Sequence, residues 1–190
     1  NRFNGKVKRE PHPSFRMKGD GWMRYSMSLS FDNDMEYQVV HREDLYMRAF
    51  LKNCSLRLSC YQCHSKTINR NSDITLADLW GAKSVCPNLF DDKGTSFVWC
   101  NSDKGNKLVM SLKENLDIQK IDFNDALQFN SAAYESAKKP SSRQWFFDNL
   151  DRYDFDYVVK KATASSLTSK IKKFVIKYAI KIKHFIVKHK

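Results

Sequence analysis

The sequence predicts an α+β body, a mixed β-sheet with flanking helices, followed by a basic helical tail. Three observations carry this. Strand-like alternation in the first third returns on itself across a turn, short strands alternate with helical stretches further on, and acidic residues stop at Asp156 while lysines continue. Strands interleaved with helices favour a mixed α/β layer over a helical bundle. At 190 residues the chain can bury one real core and still carry an appendage. The expected units are a body over residues 1–160 and a tail over 161–190.

The opening stretch, NRFNGKVKREPHP, is polar and contains proline, so it is no secretory signal, and without an initiating Met it reads as the inside of a longer chain. Residues 22–31, WMRYSMSLSF, alternate large apolar with polar or small side chains and predict a strand. DND at 32–34 is a turn signal, and MEYQVVH returns as the second strand of a hairpin. REDLYMRAFLKN predicts a helix with Leu45, Ala49 and Phe50 on one face and acids in its first turn. The cysteine-bearing stretch at 54–63 fits neither period. SDITLADLWG is a short strand or turn leading into a loop, and DDKGTS turns the chain into the apolar strand FVWC. Ser102 is placed to cap a helix whose Leu108, Val109, Leu112 and Leu116 recur at helical spacing. A short strand is expected over 117–122, then a helix on DALQF and another after Pro140.

The formal charge of +12 is unevenly held. Ten lysines follow Asp156 without a single acid, and the body before them is close to neutral. A nucleic-acid domain would spread its basic residues over the folded face, so nucleic acid is not an expected partner. In the tail, Leu167, Ile171, Phe174, Val175, Tyr178, Ile182, Phe185 and Ile186 form one stripe at steps of three and four. Such a helix suits an anionic membrane surface, with Lys170, Ile171, Lys173, Phe174, Lys177, Tyr178, Lys181 and Phe185 as the contact set. The bland alternative is a helix docked on the body or on an acidic partner. No apolar run reaches the roughly 18 residues that a spanning helix needs.

Five cysteines, an odd number at uneven spacing, argue for reduced thiols in a cytosolic setting rather than a disulfide scaffold. Three of them crowd into CSLRLSCYQC as Cys54, Cys60 and Cys63. A Cys-x-x-Cys pair puts two thiolates on one short loop, within reach of one metal. The spacing serves a metal site and ordinary structural thiols equally well, and counting does not separate zinc from iron–sulfur. His64 adjoins Cys63 too closely to share a metal without strain, while Cys86 and Cys100 read as core residues. The scattered histidines and few glycines offer no hydrolase motif, dinucleotide fingerprint or phosphate loop.

The run CSLRLSCYQCHSKTINRNSDITLADLWG, followed by DDKGTSFVWCNSDKG, resembles the C-terminal domain of the coenzyme F420 hydrogenase/dehydrogenase beta-subunit family. Members typically carry Leu-Arg-Pro-Ser-Cys-Tyr-x-Cys, then Arg-x-Ser-Asp-Ile-Thr-Leu-Gly-Asp-Phe-Trp-Gly. The likeness extends upstream to FRMKGDGWMRYSMSLSF and EDLYMRAFL and downstream to KKPSSRQWFFDNL, covering roughly residues 15–155 in order. Leu58, Ala77 and Leu79 stand where the family usually has Pro, Gly and Phe. The resemblance implies that Cys54, Cys60 and Cys63 ligate a 4Fe-4S cluster exchanging electrons with a flavin, FAD or FMN, and some members reduce coenzyme F420. The family's fourth cysteine usually lies upstream in a Cys-His-Gly stretch absent here, as does a ferredoxin-like region, which points to a redox partner or a longer protein. Members often accompany genes for cell-surface polysaccharide synthesis.

Around the cysteines, Arg57 and Arg70 are the cations placed to raise a cluster's potential, or else are solvated loop residues. Asp73, Thr75, Asp78 and Trp80 would orient a flavin or wall its pocket; the structural alternative is turn capping by Asp73 and Thr75 with Trp80 in the core. Gly94, Thr95 and Ser96 offer donors for a phosphate, although turn chemistry explains the same residues. The expectation is a cytosolic iron–sulfur and flavin electron-transfer domain held peripherally at the membrane. Its competitor is a zinc-stabilised or metal-free module that recruits partners there.

Overall fold

A computed structural model describes residues 11–164. The amphipathic tail helix and its expected membrane-contact residues lie outside the described residues. Within them the α+β class holds, but the strands form two small antiparallel sheets, not one mixed sheet.

The first sheet has the order β1 (His12–Met17), β2 (Ser26–Ser30), β3 (Glu36–Val40). The expected hairpin is its β2–β3 pair, in register from Ser26 opposite Val40 to Ser30 opposite Glu36. Asp34, in the connecting turn, sits at φ 59°, a left-handed conformation that Asp tolerates better than most residues. β1 is not legible from alternation, because Pro13 interrupts its opening; it pairs on one side only, where a proline is tolerated.

Helix α1 (Leu45–Leu51) starts where Asp44 accepts the Met47 N–H at 2.7 Å, leaving the cap only 4% exposed. It serves two cores. Met47 packs with Tyr25 and Met27 of the first sheet, while Ala49 packs with Cys54, Phe146, Val158, Val159 and Ala162. Apart from Cys54, which follows α1, this second group comes from α5 (Arg143–Asp148) and α6 (Phe155–Ala162). Helix α6 has no counterpart among the expected elements; the expected boundary between residues 160 and 161 falls near its end, and its Val158, Val159 and Ala162 are buried in the body. Arg48 reaches Thr163 at 3.1 Å and ties the same helices from outside. Phe50, expected on the inner face, is 43% exposed.

The second sheet pairs β4 (Ile74–Asp78) with β5 (Ser96–Cys100), and its inner face sets Phe97 and Trp99 against Leu79, Ala82, Cys86 and Ala126. Between the strands run α2 (Ala82–Val85) and a 3-10 turn at Pro87–Leu89. Helix α3 (Asp103–Ser111) begins at the expected cap, Ser102, whose hydroxyl accepts the Gly105 N–H at 3.1 Å. Its leucines do not face inward: Leu108, Leu112 and Leu116 remain exposed, and the buried residue is Gly105. Residues 117–122 form no strand, and α4 (Phe123–Leu127) starts at Asp122, which accepts the Asn124 and Asp125 N–H groups.

Gly105 decides how closely α3 approaches β4. A Cβ there would lie 2.1 Å from the Asp73 carbonyl oxygen, a backbone atom that cannot rotate away. Helix propensity alone favours Ala over Gly by about 1 kcal/mol. The collision reverses that sign, so Gly105→Ala is expected to destabilise the fold by about 1–3 kcal/mol, an overpacking cost. Urea denaturation of the two proteins checks this; a stabilised variant would mean that α3 is not docked through Gly105.

Candidate functional site

The cysteine loop leaves α1 through Asn53, which adopts φ 61°, and turns Cys54 back into the core. Cys54 is 1% exposed. Its sulfur lies 3.8 Å from Ser142 Oγ and 3.8 Å from the Ala162 carbonyl oxygen, and 3.7 Å from that of Lys52. Cys60 lies inside a 3-10 turn at Leu58–Gln62, and Cys63 ends it; both are half-buried. Distant residues fasten this turn. Tyr61 donates to the Asn53 carbonyl at 2.5 Å, and the Ser136 hydroxyl accepts the Cys63 N–H at 3.0 Å. Arg143 donates twice to the Leu56 carbonyl, at 2.9 and 3.2 Å, with its guanidinium over the Tyr61 ring.

The structure buries Cys54 among α1, α5 and α6 and leaves Cys60 and Cys63 partly exposed on the turn. Among the described residues no three His, Cys, Asp or Glu side chains come together so as to hold a metal ion. Cys86 is buried as expected, and burial pushes its thiol pKa up, whereas Cys100, expected in the core, is exposed on the outer face of β5. Arg70 is committed elsewhere than to the thiols, donating to the Ser65 and Ala133 carbonyls at 3.0 and 2.9 Å and lying over Trp99. Arg57 is exposed at the start of the 3-10 turn.

The second group of expected residues is split along β4. At about 3.3 Å per residue, Asp73 and Asp78 stand roughly 16 Å apart, at opposite ends of the strand. At one end Asp73 accepts from Ser102 and pairs with Lys104 at 3.3 Å, and Thr75 accepts from Asn101 at 3.0 Å. The Ser102 bond, followed by Lys104, holds the Asp73 carboxyl below its ordinary pKa. These contacts fasten α3 to the sheet. At the other end Asp78 accepts from Arg16 at 2.6 Å, and Trp80 stacks on Trp22 with centroids 4.9 Å apart. Trp80 is 42% exposed and so is not a core residue, while Trp22 is completely buried.

Arg16 and Trp22 are the residues that local patterning misses. The guanidinium of Arg16 lies 5.2 Å from the ring centroids of both Tyr25 and Trp80, and Tyr25 in turn stacks on His41 at 4.1 Å. A signal exists in hindsight: an arginine and large aromatics recur through FRMKGDGWMRY, a stretch otherwise rich in turn residues. Beside this stack, Gly94 takes φ 118°, and a side chain there would crowd the Trp22 indole. Thr95 donates to the Leu89 carbonyl at 3.2 Å while its own carbonyl accepts from Leu79, and Ser96 stands opposite Asp78 in the ladder. Gly94, Thr95 and Ser96 thus shape the approach of β5 to the Trp22 loop.

Exposure orders the thiols. In the native chain Cys60, Cys63 and Cys100 are expected to react promptly with a disulfide reagent at neutral pH, and Cys54 and Cys86 only when the fold opens. Reagent titration with peptide mapping checks this; Cys54 labelling as fast as Cys60 would contradict its enclosure.

No curated protein and no solved structure matches the chain. A family model does: it describes the C terminus of the beta subunit in coenzyme F420 hydrogenase/dehydrogenase, and it matches residues 13–126, which run from β1 through the cysteine loop and both sheets to α4. With more than half of its length matched, from the first strand to the helix beneath the second sheet, the chain belongs to this family of C-terminal domains from coenzyme F420 hydrogenase/dehydrogenase beta subunits.

Proposed function

We propose that this chain is a redox module of an oxidoreductase of that family, working with a flavin and with a redox partner or ferredoxin-like region. The observation that carries the reading is the family match over residues 13–126. The iron–sulfur part of the reading falls on Cys54, Cys60 and Cys63, of which Cys54 is enclosed and the other two are partly accessible. A 4Fe-4S centre on them needs a fourth ligand from elsewhere. Action on a cell-surface polysaccharide intermediate, and use of F420 itself, rest on family analogy. Trp80, part-exposed beside Arg16 and Trp22, is the side chain best placed among the expected residues to meet a planar cofactor.

A second reading has its own support. The enclosure of Cys54 in the packing of α1, α5 and α6 suits a non-catalytic, zinc-stabilised or metal-free interaction module in which this thiol is a core residue. Anaerobic purification of the full chain, with flavin, iron, sulfide and zinc assays and a visible spectrum, separates the two. The redox reading expects flavin or iron–thiolate absorption that dithionite bleaches reversibly. Colourless protein carrying zinc, or carrying neither metal nor flavin, establishes the second reading instead.

We further propose that residues 165–190 hold the module at an anionic membrane surface. The support is the acid-free sequence with its apolar stripe, where each lysine near the lipid contributes about 1 kcal/mol. Among the described residues no helix is long and apolar enough to cross a membrane. Vesicles containing phosphatidylserine are expected to retain the full chain and to release a chain lacking residues 164–190, with retention falling as salt rises. Equal retention of both chains sinks the proposal.

A further inference from the structure

Helices α2 and α4 and the irregular stretch 117–122 border a surface hollow of about 360 Å³. Its polar groups come from Ser84 of α2, Gln119 and Lys120 of the irregular stretch, and Asp122, Asp125 and Gln128 in and around α4. A hollow of that size holds about a dozen waters at roughly 30 Å³ each, the room that one or two sugar rings take.

Phe129 lines the same hollow and is 40% exposed, yet its ring is fixed. A Cβ at Gly81 would lie 2.1 Å from Phe129 Cδ2 and 2.4 Å from Cγ, so the ring lies directly against the glycine backbone. The Phe129 N–H donates to the Ala126 carbonyl at 3.3 Å, and the side chain of Asn130, 7% exposed, donates to the same carbonyl at 3.1 Å. An exposed ring pinned on one side offers an apolar surface to a ligand rather than filling a core.

The polar groups beside that ring are only partly committed. Asp122 spends Oδ1 on the Asn124 and Asp125 N–H groups, at 2.8 and 3.1 Å, which leaves Oδ2. Gln128 donates Nε2 to the Asp125 carbonyl at 3.0 Å, which leaves its amide oxygen. Among the described residues neither carboxylate enters an ion pair, and nor does Lys120. Charge then narrows the ligand class. Two carboxylates repel a phosphate or a carboxylate, and Lys120 beside them opposes a metal cation. A neutral molecule with many hydroxyls fits, because each hydroxyl can donate to a carboxylate and accept from an amide or ammonium. A pyranose adds an apolar face of C–H groups, the surface that Phe129 can cover.

We propose that this hollow is a carbohydrate site: a neutral pyranose lies against Phe129, its hydroxyls donating to Asp122 and Asp125 and accepting from Gln119 and Lys120. This goes beyond the proposed function. It uses no cysteine, flavin or metal, and Gln128 and Phe129 lie past the last residue of the family match.

The test is saturation-transfer NMR on the full chain with the methyl glycosides of glucose, galactose and N-acetylglucosamine, each at millimolar concentration. At least one of them is expected to show transfer to its ring protons. Asp125→Ala removes a charge-assisted bond and is expected to weaken that binding at least about tenfold. Phe129→Ala is expected to abolish transfer; should it fail to fold, Asp125→Ala, which alters an exposed side chain outside the core, carries the decision alone. No transfer from any of the three glycosides, binding unchanged in Asp125→Ala, or displacement of the glycoside by inorganic phosphate or calcium overturns the proposal. Flavin and iron are measured on the same sample. Sugar binding by a colourless chain upholds the site and defeats the redox reading, and a coloured chain that binds no sugar does the reverse.

Discussion

The two sheets share no strand, and the guanidinium of Arg16 bridges them. Arg16 leaves the end of β1, pairs with Asp78 at the end of β4 and lies between the rings of Tyr25 and Trp80. The ion pair by itself contributes little, because both side chains are more than a third exposed and such pairs are worth about 0–1 kcal/mol. The two ring contacts contribute more, each about 0.5–2 kcal/mol depending on desolvation. They also face a cost: Arg16 Nε and Nη2 are buried with no hydrogen-bond partner. The two aromatic rings, each with its centroid 5.2 Å from the guanidinium carbon, offset part of that cost. Burial likewise pushes the Tyr25 phenol pKa up, with the Arg16 charge pulling it the other way.

Around this pivot the chain adds contacts that fix angle rather than depth. The loop carrying Trp22 is hooked by Asp92, whose carbonyl accepts the Trp22 N–H at 2.6 Å and whose carboxylate accepts the Met23 N–H at 2.9 Å. Stacking of Trp22 on Trp80 then brings the Asp-x-Trp stretch at the end of β4 against the loop that leads into β2. Whatever Trp80 meets at its exposed edge, its position depends on residues far earlier in the chain.

The cysteine loop is governed by a different constraint, the docking of α5 and α6 on α1. Cys54 sits where those helices converge, and Ser142 donates to the Ala162 carbonyl at 2.8 Å across the same junction. The adjoining Arg143 holds the outer part of the loop through Leu56. One cysteine is thereby turned inward and two outward, although all three look alike in the sequence.

The local code determined the hairpin of β2 and β3, the cap at Ser102, the strand β5 and the family motifs, because each is carried by neighbours within a few residues. It also exposed the sharp change in charge after Asp156. β1 was hidden by Pro13, and α6 by its proximity to the lysine-rich tail. The tertiary structure alone decided that Arg16 bridges the sheets, that α3 docks through a glycine rather than its leucines, and that Cys54 is buried while Cys60 and Cys63 stay partly exposed. Periodicity records which face of an element is apolar, but not which partner covers it, and each of these outcomes is set by a partner distant in the chain.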